Sequence, residues 1–316
     1  MNGDQLIAKL LKKEGVEWIS CFPAQTLIEA CSVEGIRPVL CRQERAGVNM
    51  ADAYSRINNG NKIGVFTMQH GPGAENAFGG VAQAYADNVP VLLVPGGSTE
   101  SRVGVHPGFD AVPNYQHVTK WAARIESVQR IPEMISRAFT HLKHGRPGPV
   151  LLELPSDVGS ADVPGDIEKY QPVQTHRSSA STEDVRDIMT ALLKADKPMI
   201  SAGQGVLYAE ATDDLIELSE LVNVPVMTTL SGKSAFPEDH HLSLGSSGST
   251  CTLMVDRFLQ TTDFILGVGT SFAISNFAAP MPEEVTKAQI TNSPEDLNRD
   301  YRVEYGAIGD AKLVIQ

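Results

Sequence analysis

Residues 63–76 read Ile63-Gly64-Val65-Phe66-Thr67-Met68-Gln69-His70-Gly71-Pro72-Gly73-Ala74-Glu75-Asn76. An apolar run too short to be a helix stops at a Gly-Pro-Gly turn and gives way to a helical pattern. That succession is a buried strand feeding a helix, the unit from which parallel α/β sheets are wound. The alternation continues in both directions. Towards the N-terminus, Asp4 is placed to cap a helix carrying Leu6, Ile7, Leu10 and Leu11 on one face and closed by Gly15. Apolar runs then follow at 18–22 and 38–41, and beyond the Gly-Pro-Gly turn at 89–94 and 150–154.

Between Pro155 and Ser181 the texture changes to Pro, Gly, Ser, Asp and Thr with little periodicity, which reads as a linker. Ser181-Thr182-Glu183 then opens a helix through Leu193, and apolar runs recur at 199–201, 224–228 and 264–268. The predicted fold class is α/β, with two doubly wound parallel-sheet domains over 1–160 and 182–316 and a linker over 161–181. A length of 316 residues suits two domains, each with its own core. The last stretch, Gly309 to Gln316, reads as a capped helix cut after about two turns. A domain seldom stops so abruptly.

A formal net charge of −12 argues against nucleic acid and against an anionic membrane as partners, because both demand a basic stripe. No stretch approaches a membrane span, and Met1-Asn2-Gly3-Asp4 runs into an amphipathic pattern without the basic and apolar regions of a signal peptide. A cytoplasmic location is the expectation. Cys21, Cys31, Cys41 and Cys251 lack CxxC spacing and read as small buried residues rather than zinc ligands or disulfide partners.

Three segments invite a chemical reading. Arg42 to Arg56 places Glu44 at a strand-to-helix junction among small and apolar neighbours, where strand ends bind ligands and burial raises a carboxyl pKa. The competing reading is a helix-start carboxylate that only favours the dipole. The Gly-Pro-Gly turn lets backbone approach a ligand closely, although a purely structural turn satisfies the same letters, and the adjacent His70 is a lone loop histidine. Gly203-Gln204-Gly205 hints at a dinucleotide loop, but Tyr208 stands at the third glycine position and the fingerprint fails. His240-His241 is not expected to chelate a metal, because neighbouring residues point in different directions.

Taken in order, these segments resemble the acetolactate synthase branch of the thiamine-diphosphate-dependent enzymes over essentially the whole chain. The stretches that carry the resemblance are RQERAGVNMADAYSR, GVFTMQHGPGAENAFGGVAQAYADNVPVLLVPG, KWAARIESVQRIPEMISRAFTHLKHGRPGPVLLELPSDV, GQGVL, VPVMTTLSGKSAFPEDHHLSLG, DFILGVGTSF and SPEDLNRDY. It implies a pyrimidine-binding domain followed by a Rossmann-like central domain. Glu44 would hydrogen-bond the aminopyrimidine ring of thiamine diphosphate and promote its imino tautomer. Pro23, Gly71, Gly73 and Asn76 would line the pyrimidine end, and Gln25, His70 and Asp110 are candidate substrate contacts.

The departures carry information too. The family's diphosphate-binding domain, with a GDG segment and a downstream Asn that hold magnesium, has no counterpart here. Magnesium would therefore be held by a missing domain or by a partner subunit in a homo- or hetero-oligomer. Pro23-Ala24-Gln25 stands where the family often has Pro-Gly-Gly, and His70 stands in place of the usual Ser. Ser271-Phe272 replaces the Arg of flavin-binding members, so flavin is not expected. The implied function is a carboligase or decarboxylase subunit acting on 2-ketoacids or aldehydes. The alternatives are a 2-hydroxyacyl or sulfopyruvate-type lyase subunit, and a non-catalytic nucleotide-binding or regulatory subunit.

Overall fold

The computed structural model describes residues 1–23, 25–165 and 169–316. Ala24, in the first strand-end loop, and residues 166–168, in the expected linker, lie outside the described residues. The chain divides into two compact units, Met1–Thr175 and His176–Gln316.

In the first unit the strands are β1 (Trp18–Cys21), β2 (Arg37–Leu40), β3 (Gly64–Met68), β4 (Val91–Gly97), β5 (Trp121–Arg124) and β6 (Val150–Pro155). They form one parallel sheet in the order β2-β1-β3-β4-β6-β5. The helices are α1 (Gly3–Lys13), α2 (Thr26–Val33), α3 (Glu44–Ile57), α4 (Pro72–Ala86), α5 (Ala111–Tyr115), α6 (Ile131–Lys143) and α7 (Ser156–Ser160). Successive residues of β4 serve opposite faces. Leu92 and Val94 join Leu6, Leu10, Ile135 and Phe139 from α1 and α6, while Val91 and Leu93 join Val48, Ala77 and Val81 from α3 and α4. Helices cover both faces, so the central strands are apolar throughout rather than alternating. Each fully buried Leu, Ile or Phe contributes about 1.5–3 kcal/mol.

Two boundaries differ from the sequence reading. The cap of α1 is Asn2, not Asp4: Gln5 N donates to Asn2 Oδ1 at 3.0 Å and Asn2 N donates to Gln5 Oε1 at 3.0 Å. A Cβ on Gly3 would stand 2.3 Å from Val158 O, so the helix start is pressed against the chain leaving β6. Asp4 is instead buried in the first turn, accepts a 2.5 Å bond from Thr26 Oγ1, and has its carboxyl pKa raised by burial. The second difference is that part of the expected linker packs on the first unit. The Glu14 carboxylate, with its side chain fully buried, accepts from Lys143 Nζ at 2.7 Å, Tyr170 Oη at 2.5 Å and Val173 N at 2.9 Å.

The second unit is a separate parallel sheet of β7 (Pro198–Ala202), β8 (Val226–Thr228), β9 (Ser243–Ser246), β10 (Phe264–Val268), β11 (Thr286–Thr291) and β12 (Tyr305–Ile308). Its order, β12-β11-β10-β7-β8-β9, is the doubly wound arrangement in which the direction of winding reverses beside the first strand. Ser181 caps the helix Thr182–Lys194, accepting from Glu183 N at 3.2 Å, and Asp310 caps Ala311–Ile315, accepting from Leu313 N at 3.3 Å. Among the described residues no helix is long and apolar enough to cross a membrane.

Candidate functional site

In the first sheet the connections diverge between β1 and β3, since β1 leads on to β2 at one edge and β3 leads on to β4 in the other direction. Diverging connections leave a crevice at the carboxyl ends of the two strands. The loop after β1 carries Pro23 and Gln25, the loop after β3 carries His70 and Gly71, and the loop after β2 delivers Glu44 as the first residue of α3.

Glu44 is 5% exposed, unusual for a carboxylate. Asn76 Nδ2 donates to its Oε2 at 3.3 Å, and Oε1 accepts no hydrogen bond from any described residue. A Cβ on Gly73 would lie 3.6 Å from that free oxygen. The fold therefore brings Glu44, Gly73 and Asn76 together. Gly71 has φ +66°, which strains any other residue, and a Cβ placed there would meet nothing within 4 Å. Sterically, the turn is open.

Gln25 is in the crevice, but its side chain is engaged: Nε2 donates to Met68 O and Oε1 accepts from Thr67 Oγ1, both at 2.8 Å. It ties the β1 loop to the end of β3. A Cβ on Gly96 would stand 2.3 Å from Gln25 Nε2 and 3.2 Å from His70 N, so only glycine lets these loops close over β4. His70 Nε2 lies 3.0 Å from Ser98 Oγ. Pro23 is exposed, and Asp110 is exposed at the start of α5. Asp110 acts electrostatically on buried Glu153 rather than joining Glu44. Sequence reasoning missed Ser98, Arg124 and Glu153. The one signal for them was an acidic residue inside the apolar run Val150–Pro155.

The corresponding crevice of the second sheet, between β7 and β10, is filled by backbone. Gly203 N donates to Val268 O at 2.8 Å and Gly205 N to Gly269 O at 2.9 Å. A Cβ on Gly203 would meet Gly269 O at 2.3 Å. Beside these loops a small cavity of about 80 Å³ is lined by Ser201, Met227, Thr270, Phe272 and Tyr301 among others, with no charged side chain.

His240 and His241 do not point apart as expected; their rings lie 4.5 Å apart at 34°. With Glu220 they are the single group of three among the described residues whose candidate metal-binding atoms lie within 4.8 Å. Both nitrogens of His240 are already engaged, Nδ1 accepting from Leu242 N at 3.2 Å and Nε2 facing Glu220 Oε1 at 3.1 Å. Accepting at Nδ1 puts the proton on Nε2, where a metal would have to bind. The cysteines are free; Cys21, Cys31 and Cys41 are buried and Cys251 partly so. Burial pushes Cys21 up to about 11 and Cys31 up to about 12, which keeps them as unreactive thiols.

Two family profiles match the chain: the thiamine pyrophosphate enzyme N-terminal TPP binding domain over residues 1–122, and the thiamine pyrophosphate enzyme central domain over 185–316. The chain belongs to the thiamine pyrophosphate enzymes. Among relatives from this family, it is 31% identical to the “Probable acetolactate synthase large subunit” of Methanocaldococcus jannaschii, covering 100% of this chain and 55% of that protein. It is 30% identical to the glyoxylate carboligase of Escherichia coli O157:H7, covering 97% and 53%. A solved structure described as a thiamin diphosphate-dependent enzyme from Mycobacterium smegmatis superposes with a TM-score of 0.86 at 24% identity, covering 100% of this chain and 61% of that one. That likeness concerns the fold. The chain spans about half the length of the curated relatives it matches.

Proposed function

We propose that this chain is the pyrimidine-binding and central portion of a thiamine-diphosphate-dependent carboligase or decarboxylase acting on 2-ketoacids. It works with a diphosphate-binding domain or subunit, within a homo- or hetero-oligomer, that supplies the magnesium and diphosphate ligands. The observation that carries the proposal is Glu44: a buried carboxylate at a strand-end crevice, with one oxygen held by Asn76 and the other free beside the open Gly71–Gly73 turn. A carboxylate that served only the helix dipole would be expected to sit in water.

These residues fit the aminopyrimidine end of the cofactor. Glu44 Oε1 would hold or release a proton at the ring, a bond that shielding from solvent strengthens. Asn76 fixes the carboxylate plane, while Gly71 and Gly73 give the ring backbone-close access. When bound, thiamine diphosphate supplies a carbon nucleophile for attack on a 2-carbonyl group. The protein's task is then orientation, water exclusion and the proton at Glu44. Relatives named as acetolactate synthase subunits and a glyoxylate carboligase support the reaction class. The central unit is read as carrying no flavin, in keeping with its glycine loops packing on each other.

The test is turnover of pyruvate with thiamine diphosphate and magnesium, by the chain alone and with a separately expressed diphosphate-binding domain of an acetolactate synthase. The expected result is turnover only in the mixture. Metal-dependent turnover by the isolated chain overturns the need for a partner, and an inert mixture in which the two parts demonstrably associate overturns the catalytic reading.

A further inference from the structure

Arg124, the last residue of β5, and Glu153 on β6 are register partners in adjacent parallel strands. Glu153 is 2% exposed, and Arg124 Nη1 donates to its Oε1 at 2.7 Å. The other arm of the same guanidinium, Nη2, donates to Ser98 O at 2.5 Å, just past the end of β4. Ser98 Oγ in turn lies 3.0 Å from His70 Nε2, in the loop that follows β3. A single connected chain thus runs across the ends of four strands and finishes on an imidazole. Gly97 permits it, since a Cβ there would stand 2.6 Å from Glu153 Oε1.

The energetics do not favour a stabilising purpose for this pair. Desolvation outweighs the attraction of Arg124 and leaves the Glu153 carboxyl pKa raised, with Asp110 and Glu126 adding repulsion. A buried ion pair of this kind is commonly matched or bettered by apolar residues of the same volume. What apolar residues cannot supply is a rigid planar fork that fixes a carboxylate and a carbonyl at once. The fork holds the Ser98 peptide, and the Ser98 hydroxyl occupies one nitrogen of His70. The other ring nitrogen, Nδ1, has no hydrogen-bond partner among the described residues.

We propose that Arg124 and Glu153 are positioning residues which, through Ser98, fix the ring of His70 so that Nδ1 meets an oxygen of the 2-ketoacid substrate. The identity of that ligand rests on the thiamine-dependent reading; the relay itself does not. Its test uses the full chain without cofactor, labelled with 15N, and reads the tautomer of each histidine ring by long-range 1H–15N NMR. Ser98→Ala is expected to change the His70 tautomer ratio, with the other histidines unmoved. Ser98→Thr, which keeps the hydroxyl, restores the parent pattern. Arg124→Lys, whose ammonium lacks the rigid planar fork, shifts the His70 tautomer ratio in the same sense without touching the ring; an unmoved ring in the folded variant removes Arg124 from the relay. If Arg124→Lys fails to fold, Glu153→Gln, which removes the carboxylate charge that anchors the fork, is read in its place with the same expected and overturning outcomes.

The relay is overturned if the His70 tautomer ratio is identical in the parent and in Ser98→Ala. In an assembled active enzyme, Ser98→Ala raises KM for the 2-ketoacid about tenfold while kcat stays within about threefold. An unchanged KM beside a moved ring overturns the substrate contact. A parent assembly without turnover overturns the thiamine reading and leaves the NMR relay standing.

Discussion

The two sheets present the same architectural opportunity and use it in opposite ways. Each is six-stranded and parallel, and each has a crevice where its connections diverge, flanked by glycine-containing loops. In the first unit, Gly71 faces open space and a buried carboxylate waits beside Gly73. In the second, Gly203, Gly205 and Gly269 are consumed in packing one loop on the other, with donors already bonded to carbonyls. Gly-Pro-Gly and Gly-Gln-Gly look alike as text. Their meaning is set by what stands where a Cβ would go, which is why a shared fold class does not fix function.

The comparison is broken most severely at Glu44. With a diphosphate-binding partner supplied, Glu44→Gln keeps the shape of the side chain and the fold, checked by circular dichroism. Turnover is expected to fall by about a hundredfold to ten-thousandfold, or roughly 3–5 kcal/mol in the barrier, because an amide cannot exchange a proton with a ring nitrogen. Survival of turnover in a well-folded variant would return Glu44 to the role of a helix-start carboxylate.

Next in size is alanine at the glycines of the two crevices. Gly203→Ala drives a methyl to 2.3 Å from a backbone oxygen that cannot step aside, and is expected to cost about 3 kcal/mol or more. Faster hydrogen exchange on β7 and β10 would report it. Gly71→Ala meets no neighbour and pays only for its backbone conformation, φ +66° with ψ −105°, about 1–3 kcal/mol. Equal losses at the two positions would erase the distinction between a filled crevice and an open one. The same closure predicts a colourless protein, and stoichiometric flavin in the purified chain would show that the second crevice opens after all.

Much of this was legible in the letters, and the exceptions have physical causes. Strands buried on both faces, β3, β4, β6, β7 and β10, announce themselves as apolar runs. β11 does not, although it is almost as buried, because Lys287 and Gln289 lie within it. Lys287 is accommodated by donating to Glu283 O and Val285 O, and Gln289 by donating to Thr270 O, bonds that no periodicity encodes. β5 is half-buried along its length and carries no run at all. In the site, Glu44, Gly73 and Asn76 come from segments that each follow a strand, so topology alone gathers them. The engagement of Gln25 with Thr67 and Met68, and the pairing of Arg124 with Glu153, are tertiary contacts between segments far apart in sequence and have no local signature.

The smallest effect is the response of the first unit to pH. Asp4 and Glu153, both in the first unit, have carboxyl pKa values raised by burial. A raised folded-state value means that the fold takes up a proton before the unfolded chain does. Above the folded value both states are ionised and the fold bears the whole desolvation penalty; below the ordinary value, 4.5 for Glu153, both are protonated and the penalty is gone. Between those limits acidification stabilises the first unit. Both tryptophans, Trp18 and Trp121, belong to that unit, so fluorescence reports its melting specifically. As pH is lowered from 7 towards 4.5, the tryptophan-reported transition of the parent should gain on that of an Asp4→Asn, Glu153→Gln double variant, which has lost both titrations. The gain should level off below the ordinary values, 4.5 for Glu153 and 3.8 for Asp4, where folded and unfolded states are both protonated. Parallel pH profiles for parent and variant would mean that Arg124 and Thr26 compensate the buried charges in full, and that the first unit tolerates them at no cost.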